Sequence, residues 1–105
     1  MEREKDPVKV VRVDDKNRLE AYVDGHFAGV VEYIRAKGLL AFVHTEVLPA
    51  FEGRGIGSAL AKSALDMVRE TNMKFLAVCP FIVAWADRHP EYEPWRYRSA
   101  SRVTD

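Results

Sequence analysis

Between Phe51 and Gly57 the chain reads FEGRGIG, with glycines at 53, 55 and 57 directly ahead of an apolar stretch of helical spacing. A helix start offers unpaired N–H groups and the positive end of the dipole, and glycines let a phosphate approach the backbone closely. The spacing therefore suits anion binding, although glycine also serves turns and close packing. It does not fit a Walker loop, since Arg54 and Ser58 stand where a GKS/T ending is needed, and a Rossmann start would require a preceding parallel βαβ unit. Glu46 and His44 lie two residues apart in one extended segment, so they share a face and are candidate proton acceptors. Thr45 between them points the other way, which gives it a structural role. Cys79 follows an apolar run and precedes a proline-led helix, a place that can lower a thiol pKa and present a nucleophile, although free cysteine is also commonly buried. His26, His44 and His89 are scattered and Cys79 is the single cysteine, so no metal site is expected.

These residues need a scaffold. Val8–Val13 and Arg18–Val23 alternate with period two and predict strands, and Asp24-Gly25 is a strong hairpin turn. A third strand is expected over Phe27–Ala36 and, after Lys37-Gly38, a fourth over Leu39–Leu48, ended by Pro49. Ile56, Leu60, Ala64, Leu65 and Val68 then recur at spacings of three and four, predicting an amphipathic helix from Ile56 to about Thr71 with Lys62, Asp66, Arg69 and Glu70 on its wet face. Lys74–Val78 reads as a buried strand and Pro80–His89 as a second helix, stopped by Pro90, with Phe81 and Trp85 in the core. The fold class is α+β: a mixed sheet in which a four-strand antiparallel meander is followed by helix, strand and helix, the fourth and fifth strands joined by a right-handed crossover.

The sequence of 105 residues is of single-domain size, with a core over about 8–92 and a tail over 93–105. Sixteen basic residues offset sixteen acidic ones, which argues against a dedicated nucleic-acid binder. The tail, with Trp95, Arg96, Tyr97, Arg98 and Arg102, could touch phosphate but reads more simply as a solvated, frayed end. One cysteine, a charged N-terminus and no long apolar window point to a cytoplasmic protein with no membrane partner.

VLPAFEGRGIGSAL, Val47 to Leu60, resembles the V-x-P-x-x-(R/Q)-x-x-G-x-G/A signature of the GCN5-related N-acetyltransferases. Val47, Pro49, Gly55 and Gly57 fall in place, whereas Glu52 stands where that family carries Arg or Gln and would repel a pyrophosphate if it pointed inward. HTEV at His44–Val47, CPF at Cys79–Phe81 and HPEY at His89–Tyr92 narrow the resemblance to the small stand-alone members of about 100 residues, which lack the two N-terminal helices that help build the acceptor site in larger relatives. The resemblance implies acetyl-CoA as co-substrate. It assigns the pyrophosphate to the Glu52–Ser58 loop through the backbones of Gly53, Arg54, Gly55, Ile56, Gly57 and Ser58, with the Arg54 side chain as a further contact, and the pantetheine arm to the backbone around Val47 and Leu48.

Acetyl transfer to an amine needs a base, an oxyanion stabiliser and often an acid for the leaving thiolate. Glu46 is placed to deprotonate an amine through water, and Cys79 opens a route through an acetyl-cysteine with His44 or Glu46 as its base. Most relatives carry a tyrosine acid four residues after an alanine of the last helix; here Ala84 is followed at that spacing by Arg88, leaving Tyr92 to swing back. The leading reading is an acetyl-CoA-dependent N-acetyltransferase acting on an amine of a peptide, a protein or a small molecule, as monomer or homodimer. The alternatives are a CoA or acyl-CoA binding module with little or no turnover, and an interaction domain using the tail.

Overall fold

The computed structural model describes residues 7–98. Its strands are β1 (Val8–Val13), β2 (Arg18–Val23), β3 (His26–Ala36), β4 (Leu39–Val47) and β5 (Lys74–Ala77), and its helices are α1 (Ile56–Glu70) and α2 (Pro80–Asp87). The strands form one sheet in the order β1-β2-β3-β4-β5, antiparallel throughout except for the parallel β4–β5 pair across which α1 crosses. The order matches the expected α+β mixed sheet. Element ends differ by one or two residues: β4 stops at Val47, β5 at Ala77 and α2 at Asp87.

Local chemistry sets the corners. Asp24 and Gly25 both take positive φ, 56° and 80°, as a two-residue hairpin turn of this hand requires. Asn72, at φ 59°, ends the chain's helical course after α1. One sheet face carries Leu19, Ala21 and Val23 of β2, Val31 and Tyr33 of β3, Leu40 and Phe42 of β4 and Phe75 of β5, which form one core with Ile56, Leu60, Ala64, Leu65 and Val68 of α1 and Ile82, Trp85 and Ala86 of α2. The other face holds Arg18, Tyr22, Glu32, His44 and Glu46 at or near solvent.

A bulge in β4 governs which residues face which way. Tyr33 pairs with Phe42 but its neighbour Glu32 pairs with His44, so Val43 is an extra residue. Strict alternation would place His44 and Glu46 on the core side with Leu40 and Phe42. The bulge turns them outward and sends Thr45 and Val47 inward, opposite Val31 and Gly29.

The C-terminal segment departs from the expected frayed end. Pro90–Trp95 forms a 3₁₀ turn, Tyr92 is buried, and the Tyr97 N–H donates to the Phe75 carbonyl at 2.7 Å, so the chain begins to extend the sheet beyond β5. Arg96 is bonded to Asp87 and Glu93 rather than free to meet phosphate, and Arg98 bonds Glu93. Arg102 lies outside the described residues. Phe81 differs as well: Trp85 is 5% exposed as expected of a core residue, but Phe81 is 37% exposed.

Candidate functional site

β4 and β5 pair only from Leu39–Lys74 to Phe42–Ala77, after which they part. The Val78 and Cys79 N–H groups both converge on the Phe42 carbonyl, marking the point of divergence. Beyond it β4 runs on to Val47 with no strand on that side among the described residues. The Leu48 N–H donates to Ala28 of β3, and its carbonyl accepts from the Phe51 N–H, so Leu48 is committed to the scaffold. Alternation along the strand then points the peptide groups of Val47 and Thr45 toward the gap. The open backbone belongs to these two residues, not to Leu48.

The glycine segment lies at the end of this gap. Gly53 and Gly55 have φ near 80°, in the left-handed region that favours glycine, and a Cβ at either would meet nothing within 4 Å. Gly55 is the residue before α1, and no side chain caps the helix start. The first-turn N–H groups of Ile56, Gly57 and Ser58 have no intrahelical acceptor, and they carry the positive end of the dipole. Space, conformation and donors thus fit an anion. The Glu52 side chain is exposed. Arg54 stacks its guanidinium 5.3 Å from the centre of the Phe51 ring. A Cβ on Gly57 would lie 2.8 Å from Phe81 Cζ, so the partly exposed Phe81 ring closes over the first turn of α1, and Val78, 51% exposed, stands at the same strand–helix junction.

Cys79 precedes α2 and is buried at 7% exposure. Its thiol donates to Thr45 Oγ1 at 3.4 Å, which places Cys79 on the inward side of β4. Burial pushes the thiol pKa up, but the Thr45 hydroxyl, which can turn to donate to the ionised sulfur, and the N–H groups of Ile82, Phe81 and Thr45 more than offset it, so the thiol titrates below its ordinary value.

His44 Nε2 and Glu46 Oε1 are 3.4 Å apart on the opposite face. These two thus lie on the face opposite the Thr45 side chain that meets Cys79, and neither is in direct contact with the sulfur. The residue that does reach Cys79 is Thr45, which alternation had assigned a structural part. The signal for it was the strand–helix position of Cys79 taken together with the inward side of β4.

Tyr92 does not swing back to the gap. Its hydroxyl donates to Asp66 Oδ1 in the C-terminal half of α1, while the gap lies beside the N-terminal half. The structure thus brings together the loop, Thr45, Val47 and Cys79 around the divergence, sets Glu46 and His44 on its outer face and leaves Tyr92 elsewhere. Among the described residues no group of three or more His, Cys, Asp or Glu could hold a metal ion, and no helix is long and apolar enough to cross a membrane.

A family profile described as GCN5-related N-acetyl-transferase matches residues 18–95, which include both diverging strands and the glycine loop. The chain belongs to this family. Its relatives include Protein NATD1 of Xenopus tropicalis, 37% identical over 91 residues and covering 81% of this chain and 83% of the relative. Protein NATD1 of Mus musculus is 33% identical over 87 residues, covering 80% and 78% respectively. Among solved structures, a GCN5-like protein of Staphylococcus aureus superposes with a TM-score of 0.66 at 20% identity, over 85% of this chain and 87% of that one. The ribosomal-protein-S18-alanine N-acetyltransferase of Escherichia coli superposes with a TM-score of 0.60 at 13% identity, over 69% and 50%. At these identities the structural neighbours establish the shared family fold.

Proposed function

We propose that this protein transfers the acetyl group of acetyl-CoA to an amine. The observation that carries the reading is the parting of β4 from β5 beside an uncapped, glycine-led helix start. An anion site and an unpaired strand edge adjoin there, which suits a ligand with a pyrophosphate at one end and an amide-bearing arm at the other. In this reading the backbones of Gly53, Arg54, Gly55, Ile56, Gly57 and Ser58 hold the pyrophosphate, and the peptide groups of Val47 line the arm. The thioester then sits in the gap between Thr45 and Cys79. An amine reaches it from the open sheet face, where Glu46, with His44 beside it, takes the proton through water. Cys79 is placed to hold the acetyl group from the inward side. A single buried cysteine with no disulfide suits a reducing, cytoplasmic setting.

A second reading, a CoA-binding module with little turnover, is favoured by one observation: Tyr92 is tied to Asp66 and position 88 is Arg, so neither of these two positions supplies a phenol to the leaving thiolate.

The deciding experiment pairs thermal melting with CoA and a free-thiol release assay with acetyl-CoA and a panel of amines and lysine peptides. A rise in melting temperature with CoA is expected because a ligand of the folded state stabilises it. Release of CoA thiol that depends on amine and falls by about a hundredfold in Glu46→Gln supports transfer with Glu46 as base. A shift without release leaves the binding module, and no shift at millimolar CoA overturns both readings.

A further inference from the structure

We propose that Thr45 is the positioning residue of this site: its hydroxyl aims the Cys79 sulfur into the gap between β4 and β5 and stabilises it as thiolate for acetyl exchange. The inference rests on the acetyl-transfer reading and adds to it a residue that the position of Cys79 by itself does not supply.

Three observations support it. The bulge at Val43 turns Thr45 to the inward face, where its Oγ1 is 3.4 Å from Cys79 Sγ. Its peptide group, by alternation from Leu48, points into the unpaired gap, so one residue presents both its hydroxyl and its N–H to the sulfur at the place where the thioester would lie. Finally, the groups that face the sulfur are the hydroxyl and N–H of Thr45 from β4 and the N–H groups of Phe81 and Ile82 from α2, none of which titrates, while His44 and Glu46 are across the sheet. A thiolate formed there is held by neutral donors. The hydroxyl accepts from the protonated thiol and turns to donate once the thiol ionises.

The chemistry balances without any further reactant. The Cys79 sulfur bonds to the acetyl carbon, the bond from that carbon to the CoA sulfur breaks, and the Cys79 proton ends on the departing CoA thiol. The amine nitrogen then bonds to the same carbon, the bond from that carbon to the Cys79 sulfur breaks, and a proton from the amine restores the Cys79 thiol.

Because Cys79 is the single cysteine, ultraviolet thiolate absorbance against pH, with Cys79→Ser as blank, reads this group without requiring access to it. Thr45→Val is nearly isosteric and lacks the hydroxyl; Thr45→Ser keeps it. The thiolate midpoint is expected to rise in Thr45→Val by about one unit, a tenfold fall in thiolate below the midpoint, and to return in Thr45→Ser. In parallel, the acetyl adduct formed with acetyl-CoA and seen by intact mass should fall in Thr45→Val while the CoA-induced melting shift persists. Coincident titrations of wild type and Thr45→Val, or a Thr45→Ser variant that behaves like Thr45→Val, would overturn the proposal. Loss of the CoA shift in the wild type would instead remove the acetyl-transfer reading, leaving the titration to judge Thr45.

Discussion

The Tyr92 hydroxyl donates to Asp66 Oδ1, fastening the segment after α2 to the wet side of α1. Lys62 and Arg69 bind the same carboxylate, and the Arg69 guanidinium lies over both the Tyr92 and Trp95 rings. This tie is structural, so Tyr92→Phe should cost about 1.5–3 kcal/mol of stability, the range for a hydrogen bond to a charged group, and leave turnover within twofold. Denaturant melts and a steady-state assay on the same preparation check it; a tenfold loss of kcat with normal stability would restore Tyr92 as an acid.

The same pair sets an alkaline limit. Burial, together with the hydrogen bond to Asp66 and its charge, pushes the Tyr92 hydroxyl up to about 12. A pKa raised on folding gives stability that is fully present below the unfolded value near 10 and is lost as pH rises toward 12. Asp66 has the opposite sign: burial raises it, but the bonds from Tyr92 and Lys62 and the charges of Lys62 and Arg69 bring it below 3.8, so its contribution is lost as pH falls through the acid range. Urea midpoints measured across pH should therefore drop between pH 10 and 12 in the wild type, with that limb flattened in Tyr92→Phe.

The backbone at Gly55 allows a direct test of the anion site. With φ at 80° and open space where a Cβ would stand, Gly55→Ala costs only conformational strain, about 1–2 kcal/mol. Gly55→Asn should cost less, since asparagine tolerates the left-handed region. If the loop cradles pyrophosphate in this conformation, Gly55→Ala should also reduce the CoA-induced melting shift; an undiminished shift in both Gly55→Ala and Gly53→Ala would place the anion elsewhere.

Much of this scaffold was legible because each local signal has a local cause. Alternation in RLEAYV, positive φ at Asp24-Gly25 and three-four spacing from Ile56 to Val68 do not depend on distant residues. The site was legible in part. FEGRGIG lies in one stretch of chain and announced itself, but which side of β4 Thr45 and Glu46 take relative to the core depends on an extra residue at Val43 that only pairing with β3 reveals. The destination of Tyr92 was hidden for a similar reason, since its partner Asp66 is 26 residues away and looked like one more wet-face carboxylate.

Phe81 over Gly57 couples α2 to the first turn of α1. In an open helix, alanine in place of glycine would stabilise by up to about 1 kcal/mol. Here the added methyl would meet the Phe81 ring at 2.8 Å and force it aside. Gly57→Ala is therefore expected to destabilise, and the same change in a Phe81→Ala background to be neutral or stabilising. A double-mutant cycle by denaturant melts should show a coupling above about 0.5 kcal/mol; additivity would mean that the ring yields freely.

Gly29 tests whether the position of β4 at the gap matters to the chemistry. It sits on β3 opposite Val47, facing Ile56 and Leu60 of α1, and a Cβ there would lie 2.7 Å from the Glu46 carbonyl oxygen and 3.2 Å from Ile56 Cγ2. The first obstacle is backbone, so it cannot turn aside as a ring can. Gly29→Ala must push β4 or the start of α1 outward, a strain of about 1–3 kcal/mol. The displaced groups would be those on either side of the gap, the Glu46–Val47 peptide and the first turn of α1. The variant should therefore lose stability and also show a raised KM for acetyl-CoA with a lower kcat. Alanine in place of the exposed Ile34, on the same strand but opposite Ala41, where β4 is still paired with β5, should leave both constants unchanged. Equal kinetics in Gly29→Ala and the wild type, despite lower stability, would mean that the reaction does not depend on where β4 ends.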